Sequence, residues 1–166
     1  MKKTIFIMIV AALMCVGGVQ AQSAKQTLTI HEAPNPVADA SLFDALLLPF
    51  RGKTVLVDVW ATWCGPCRQA NAAMKPVKEE LKGKDIVYLY VTGETSPLAT
   101  WEKMIPDLGG DHYRVSAEQW KKLINERGIE GVPTYFIVDK NGKVVFSQVG
   151  FPGAETMKTQ LLKVLQ

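Results

Sequence analysis

Cys64 and Cys67 are the residues best suited by type and spacing to do chemistry. They enclose Gly65 and Pro66, and Trp63 precedes them. A disulfide between residues three apart closes a ring too small to constrain much of the unfolded chain, so it adds little stability. Such a pair can instead exchange its disulfide with another molecule through a mixed-disulfide intermediate. We therefore predict a redox-active pair, with a purely structural disulfide as the alternative.

Metal binding is the second alternative for the cysteine pair. A structural zinc site needs four ligands, usually a second cysteine pair or two histidines at helical spacing. The two histidines of the chain, His31 and His112, are far apart in the sequence and belong to no such pattern. The sequence thus predicts neither a metal site nor a bound cofactor.

The cysteines lie at the junction of a predicted strand and a predicted helix. The Val-rich segment 54–60 is typical of a strand buried on both faces. From residue 65 to residue 82 apolar side chains recur at helical spacing, and Gly83 is a typical helix stop. Cys64 is therefore expected to face the free backbone N–H groups and the positive end of the helix dipole, which favour a thiolate.

The helix dipole alone does not ionise a thiol at neutral pH. It contributes about 0.3–1 kcal/mol at an exposed site, whereas lowering a thiol pKa by about two pH units takes roughly 2.7 kcal/mol. Hydrogen bonds from backbone amides or from Cys67 must supply the difference. One helical turn places Cys67 within reach of Cys64 and deeper in the protein. We predict that Cys64 attacks and that Cys67 resolves.

Asp58 is the one charged residue within the apolar run of the predicted strand. Burial disfavours the charged form of a carboxyl, so the pKa of a buried Asp58 is raised. Such a carboxylate can accept the proton of Cys67 while that thiol attacks, through an intervening water. The alternative is an edge strand that leaves the carboxylate in solvent.

The remaining pattern predicts an α/β fold. Strands are expected at 27–30, 86–91, 134–138 and 143–149, the last two joined in a hairpin by Asn141-Gly142. Helices are expected at 39–48, 98–105, 116–127 and 154–165. A strand–helix–strand unit implies a parallel crossover, so we predict a mixed central sheet with helices on both faces. Segment 96–113 is interpreted as a central insertion without an assigned role.

Residues 1–21 are typical of a cleaved secretory signal. Lys2 and Lys3 precede an apolar run at 5–16, and the segment ends on the small residue Ala21. The run is short for a membrane-spanning helix. An uncleaved membrane anchor and lipid attachment at Cys15 are the alternatives. We predict an exported, periplasmic protein with an N-terminal extension at 22–50 packed on one domain at 51–166.

The charge of the chain excludes one large class of partner. Its 166 residues include 19 Lys+Arg and 16 Asp+Glu, and loss of Lys2 and Lys3 leaves 17 basic against 16 acidic side chains. A nearly neutral chain has no electrostatic footprint for nucleic acid. With 48% hydrophobic and 21% charged residues, the composition is that of an ordinary globular protein. We expect a monomer.

Segment 55–67, Val-Leu-Val-Asp-Val-Trp-Ala-Thr-Trp-Cys-Gly-Pro-Cys, resembles the thioredoxin family. Pro76 and the stretch 131–134, Gly-Val-Pro-Thr, extend the resemblance, which runs from Arg51 to the C-terminus. An exported domain with an N-terminal extension, a central insertion and Val-Thr-Gly-Glu at 91–94 is similar to the TlpA/ResA-like thiol-disulfide oxidoreductases.

The resemblance implies roles for further residues. Pro133 would be cis and would pack against the cysteine pair, leaving the preceding backbone free to pair with a substrate strand. The expected docking surface comprises Trp63, Gly65, Pro66, Gly131, Val132, Pro133 and Thr134. Glu94 would be a second proton-handling acid near the cysteines, with a solvated carboxylate or a helix cap as the alternative.

The resemblance also implies the direction of the chemistry. We predict a reductase of disulfides in other exported proteins, which needs no cofactor but is recharged by a membrane electron carrier. Apocytochrome c, through its haem-attaching cysteines, is one substrate known for the family. A disulfide donor or isomerase would run the exchange in the other direction. A metal carrier or chaperone on the same fold would use no exchange at this pair.

Overall fold

The computed structural model describes residues 27–35 and 40–166, so the predicted signal segment 1–21 and Cys15 lie outside the described residues. The strands are β1 Leu28–His31, β2 Thr54–Val59, β3 Ile86–Gly93, β4 Gly110–Val115, β5 Thr134–Val138 and β6 Val144–Val149. The helices are α1 Leu42–Leu47, α2 Gly65–Glu80, α3 Leu98–Met104, α4 Ala117–Arg127 and α5 Ala154–Val164. Short 3₁₀ turns, Leu48–Phe50 and Ile105–Asp107, follow α1 and α3.

The six strands form one sheet in the order β1-β4-β3-β2-β5-β6. The first four in this order run parallel, β5 is antiparallel to β2, and β6 is antiparallel to β5. The predicted mixed α/β sheet is therefore confirmed. Strand β2 lies inside the sheet, where Val57 pairs with Leu89 of β3 on one side and Phe136 of β5 on the other.

Strand β4 is missing from the sequence-based prediction, which placed only a short helix in segment 96–113. It lies between β1 and β3, although its sequence Gly-Asp-His-Tyr-Arg-Val lacks an apolar run. Its polar side chains find partners there: Asp111 binds the ring of His31 at 2.6 Å, and His112 stacks on Tyr90. Satisfied polar groups of this kind conceal a buried strand from an analysis based on apolar runs.

Several predicted helix boundaries are confirmed and others shift. Helix α4 begins at the Ser116 capping box and ends at Gly128, whose φ of 59° is the left-handed conformation that favours glycine. Helix α2 ends at Glu80, earlier than predicted, and Gly83 follows in the turn. Helix α1 begins at Leu42, after its N-cap Ser41.

Alternate side chains of β2 enter two different cores. Val55, Val57 and Val59 belong to a cluster with apolar residues of α1 and α4. Leu56 belongs to a cluster with residues of α2 and α5, and Trp60, directly after β2, belongs to a cluster that contains both cysteines. The β2 backbone thereby separates an apolar layer from the layer that contains the cysteines.

Within the described residues, no helix is both long and apolar enough to cross a membrane.

Candidate active site

Cys64 and Cys67 form a disulfide at the start of α2. Their sulfurs are 2.05 Å apart and their Cα atoms 5.3 Å apart. Cys64 is the N-cap residue of the helix, and the Cys67 backbone N–H points at Cys64 Sγ, with N···S 3.1 Å. The Cys64 sulfur thus lies at the positive end of the helix and faces a backbone amide that has no acceptor within the helix. This environment stabilises a thiolate.

The two sulfurs differ in their surroundings. Cys67 is fully buried and Cys64 is 4% exposed, while the adjacent Trp63 is 60% exposed. Trp60, Tyr90 and other apolar side chains pack around both cysteines. Trp60 is completely buried, so it belongs to the core. This arrangement leaves Cys64 as the sulfur nearer to the surface.

The peptide bond between Val132 and Pro133 is cis, as the family resemblance implies. The carbonyl oxygen of Val132 lies 3.6 Å from Cys64 Sγ, and Thr134 Oγ1 donates a hydrogen bond to the Gly131 carbonyl at 2.6 Å. This loop therefore lies directly beside the disulfide.

The seven residues predicted to form the docking surface divide by exposure. Trp63 and Pro66 are exposed, and Gly65, Gly131 and Val132 are half-buried. The remaining two, Pro133 and Thr134, are buried beneath them. Of the seven, Val132 has a backbone atom beside the Cys64 sulfur, and Trp63 and Gly65 flank Cys64 in the chain.

Asp58 is buried in the interior strand β2, with only 4% of its surface exposed. Its Oδ1 atom has no hydrogen-bond partner within the protein. Burial raises the pKa of Asp58 to about 7, and the positive charge of Lys78 opposes part of that rise. Asp58 is therefore buried and not in solvent, because β2 is not an edge strand.

Lys78 is a buried residue that the sequence analysis missed. Its Nζ donates to the Tyr90 hydroxyl and, at 2.9 Å, to the Leu108 carbonyl. Burial lowers the pKa of Lys78 to about 8, although the charge of Asp58 acts in the opposite direction. Lys78 lies on the buried face of α2 together with Cys67 and Asn71.

Asp58 and Lys78 line the same small cavity of about 10 Å³. The polar side chains around it are Asp58, Asn71, Lys78, Tyr88, Tyr90 and Tyr135. Asp58 Oδ1, Asn71 Nδ2 and the hydroxyls of Tyr88 and Tyr135 have no hydrogen-bond partner within the protein. Space of this size among unpaired polar atoms suits one bridging water molecule.

His112 is a further buried polar residue, in contact with Tyr90. Its ring stacks on Tyr90, with the centroids 4.8 Å apart, and its Nε2 lies 2.9 Å from the Gly109 carbonyl. Because a carbonyl only accepts, Nε2 carries the proton in the neutral ring. Burial is the main cause that lowers the pKa of His112 to about 4. His112 is therefore uncharged at neutral pH.

Glu94 is exposed and its carboxylate is engaged at the start of α4. Its Oε2 accepts a hydrogen bond from the Ala117 backbone N–H at 3.0 Å. This is the contact of a helix cap, the alternative to proton handling considered for this residue. The described residues contain no group of three or more His, Cys, Asp or Glu side chains that could hold a metal ion.

The sequence matches the Redoxin family over residues 23–165. The chain belongs to the Redoxin family. One relative, the thiol-disulfide oxidoreductase ResA of Bacillus anthracis, is 29% identical over 134 residues, which cover 80% of this chain and 76% of that protein. Another, the thiol:disulfide interchange protein HelX of Rhodobacter capsulatus, is 28% identical and is covered to 68% of its length, against 80% of this chain.

Solved structures agree with the Redoxin assignment. A crystal structure from Chlorobium tepidum, described as a thiol:disulfide interchange protein DsbE, is 29% identical with a TM-score of 0.60, covering 72% of this chain and 85% of that one. A thioredoxin domain from Bacteroides vulgatus, 23% identical with a TM-score of 0.64 over 72% of this chain and 84% of that one, shows the same fold. This Redoxin-family chain is a thioredoxin-fold thiol-disulfide oxidoreductase.

Proposed function

We propose that this protein reduces disulfides in other exported proteins, with Cys64 as the attacking thiol. The observation that carries the proposal is the Cys64–Cys67 disulfide at the start of α2, where the Cys67 amide points at Cys64 Sγ. In the reduced protein the same amide and the helix dipole stabilise a Cys64 thiolate. The thiolate is the nucleophile in disulfide exchange.

The exchange proceeds in two substitutions at sulfur. The Cys64 thiolate attacks one sulfur of the substrate disulfide, and the other substrate sulfur leaves as a thiolate. Cys67 then attacks Cys64 Sγ and expels the second substrate sulfur. The substrate gains two electrons, and the protein is left with the Cys64–Cys67 disulfide. Because Cys67 is fully buried, it reacts with its neighbour in the protein and not with the substrate.

Asp58 is proposed to accept the proton that Cys67 must lose before it attacks. Asp58 lies in β2, six residues before Cys64, its Oδ1 has no hydrogen-bond partner within the protein, and the residue lines a cavity that suits one water. Its pKa of about 7 matches a general base that works near neutral pH. Glu94 receives no step, because its contact with Ala117 supports a capping role.

Substrate docking is proposed to use the exposed surface around Cys64. Trp63 and Pro66 provide apolar contact area, and the Val132 backbone lies beside the sulfur. An extended substrate segment can add backbone hydrogen bonds along residues 131–132, in the manner of β-augmentation. Apocytochrome c, with its closely spaced haem-attaching cysteines, is the substrate that the family resemblance suggests.

The compartment and the electron source are also proposals. The signal-like segment 1–21 supports export to the periplasm. A bacterial periplasm is kept oxidising and lacks a glutathione buffer, so a reductase there must be recharged by a membrane electron carrier. Mass spectrometry of the N-terminus of the exported protein tests this: a mature chain that begins at residue 22 supports cleavage, and an intact N-terminus contradicts it.

Trapping of the mixed disulfide tests the proposed function directly. A Cys67→Ala variant, reduced and added to exported proteins, is expected to retain a covalent partner that a reducing agent releases. The matched Cys64→Ser variant is expected to retain none and to leave insulin disulfides intact. If Cys64→Ser still reduced insulin, Cys64 would not be the nucleophile. A reduction potential above that of the compartment's thiols would replace the reductase by a disulfide donor.

A further inference from the structure

An open groove of about 150 Å³ lies between α2 and the end of α3 with the turn that follows it. Ala72 of α2 and, on the opposite wall, Met104 and Leu108 supply its apolar surface. A cavity of about this size accommodates a group as large as a benzene ring. The groove therefore has room for a side chain of a bound segment. Segment 96–113, which the sequence left without a role, forms its second wall.

The groove follows the same row of α2 as the attacking cysteine. Cys64, Arg68 and Lys75 are separated by four and then seven residues, a spacing that places side chains on one face of a helix. Arg68 directly follows Cys67, and its Nη1 donates to the Thr62 carbonyl at 2.9 Å. This contact holds the guanidinium against the active-site loop, while the residue also lines the groove. The groove thus continues from the active site along α2.

The charged side chains of the groove are two cations and one acid. Arg68, Lys75 and Asp107 are all exposed. Among the described residues, neither Lys75 nor Asp107 has a hydrogen-bond or ion-pair partner, and the one partner of the Arg68 side chain is the neutral Thr62 carbonyl. Two cations that no carboxylate neutralises by contact attract an anionic ligand. The apolar surface between them favours an anion that belongs to a larger chain.

We propose that this groove binds an acidic segment of the substrate, next to the cysteine that Cys64 attacks. Arg68 and Lys75 bind carboxylates of that segment, and Met104 and Leu108 contact its apolar carbon atoms. The substrate chain on the other side of its cysteine pairs along residues 131–132. This inference rests on the proposed function, because it names the substrates that disulfide exchange at Cys64 favours: extended segments with acidic residues on one side of the disulfide.

The dimensions of the helix determine where the acidic residues must lie. Arg68 is four residues and Lys75 eleven residues beyond Cys64, which is about 6 Å and about 16 Å along α2. An extended chain advances about 3.3 Å per residue. A carboxylate about two residues from the substrate cysteine then reaches Arg68, and one about five residues away reaches Lys75.

Synthetic peptides test the proposal in a Cys67→Ala background, where only the first substitution occurs. Each peptide carries one cysteine as a disulfide with a chromogenic aromatic thiol. The Cys64 thiolate attacks the peptide sulfur, the aromatic sulfur leaves as a coloured thiolate, and the peptide stays bound through the new disulfide. Glu at the second and fifth positions on one side of the cysteine is expected to raise the second-order rate constant about tenfold over Gln there. On the other side the expected gain is less than about twofold.

A Lys75→Met variant tests the contact, with Lys84→Met as the matched control. Lys84 is an exposed lysine in the turn after α2 and does not line the groove. Lys75→Met is expected to lower the ratio of the Glu to the Gln rate constant about threefold, whereas the control leaves that ratio unchanged. Lys75→Glu is expected to reverse the preference at the fifth position, so that a Lys peptide reacts faster than a Glu peptide. Equal ratios in Lys75→Met and Lys84→Met would overturn the proposal.

The Gln peptide distinguishes failure of this inference from failure of the proposed function. If the Gln peptide is captured and Glu adds nothing on either side, the groove does not select substrates, but Cys64 remains the nucleophile. If no peptide is captured, the proposed function is wrong and this inference is wrong with it. An equal gain from Glu on both sides of the cysteine would show attraction by overall charge only and would overturn the proposed site.

Discussion

The two faces of strand β2 bury side chains of opposite character, although these side chains belong to neighbouring residues. Val55, Val57 and Val59 point into a core with α1 and α4 that is made of apolar and aromatic side chains. On the opposite face Asp58 and Lys78 of α2 are both buried and line one small cavity. One strand therefore supports tight apolar packing on one side and charged groups on the other.

The difference between the two faces shows where this fold can accommodate buried charged groups. Buried charges need compensating partners, and on the cysteine face these come from tyrosine hydroxyls, a lysine and backbone carbonyls. The valine face is apolar and aromatic, with Tyr113 as its one buried tyrosine among the described residues, and it contributes apolar burial at about 25 cal/mol per Å². The apolar burial on the valine face thus helps to offset the cost of the charges buried on the other face.

The largest expected effect follows from moving the charge to the other face. Val57→Asp places a carboxyl in a core of almost entirely apolar side chains, so we expect the free energy of unfolding to fall by more than about 4 kcal/mol. Denaturation by urea measures this, and Val57→Ala serves as the control that removes packing without adding a charge. A loss below about 2 kcal/mol would contradict the contrast between the two faces.

Removal of the existing charge is expected to affect rate more than folding. With Asp58→Asn we expect the resolving step to slow about 100-fold at pH 8, because Cys67 loses its proton acceptor. In the native protein the rate of this step should rise with pH through about 7, where Asp58 ionises. Stopped-flow measurement of the resolving step, the second substitution at sulfur, checks the slower rate of the variant and the pH dependence of the native protein. If the rate of Asp58→Asn still showed an inflection near pH 7, that inflection would belong to another group.

His112 is expected to make the protein less stable in acid. Its pKa falls from 6.5 in the unfolded chain to about 4 in the fold, so between these values only the unfolded state takes up the proton. Stability from this group is present above pH 6.5 and decreases by roughly 2 kcal/mol by about pH 5.

Asp58 acts in the opposite direction over the same range, because its raised pKa lets the folded state bind a proton first. The effect of His112 must therefore be measured as a difference. His112→Phe keeps a ring on Tyr90 and removes the titrating nitrogens, so its urea midpoint should decrease less on acidification than that of the native protein. If the urea midpoints of the native protein and His112→Phe decreased equally on acidification, His112 would not titrate as proposed.

The smallest effect is expected at Glu94. Because its carboxylate caps α4 through Ala117, Glu94→Ala should cost about 0.5–1 kcal/mol of stability and leave both phases of disulfide exchange unchanged. Glu94→Gln, which retains an acceptor oxygen, should recover most of the stability. A slower second phase in either variant would instead place this acid in proton transfer and extend the charged network to a second strand.

The sequence allowed the cysteine pair and Asp58 to be predicted, but not Lys78, whose charge acts on Asp58. The Cys-Gly-Pro-Cys segment and the polar Asp58 inside an apolar run are local signals, and the structure places the disulfide and the buried carboxyl accordingly. Lys78 gave no such signal, because a lysine on a helix is normally in solvent. Only the distant Tyr90 hydroxyl and Leu108 carbonyl make its burial possible.

The same reason accounts for the strand that the sequence analysis missed. Strand β4 alternates glycine, charged and aromatic residues, and its pairing with β1 and β3 supplies what its composition lacks. The hairpin of β5 and β6 and helix α4 were predictable, since turn and capping residues act within a few positions of the chain. Contacts between distant segments decided the rest.

The direction of β1 determines how the molecule would present its sulfurs to a partner. Strands β1, β4, β3 and β2 run parallel. Leu28 is at the amino-terminal end of β1, whereas Cys64 follows the carboxyl-terminal end of β2, so the two residues lie at opposite ends of the strands. A tether attached upstream of Leu28 would pull on the far side of the molecule. The reactive end would then point away from the point of attachment, free to meet large folded or unfolded clients.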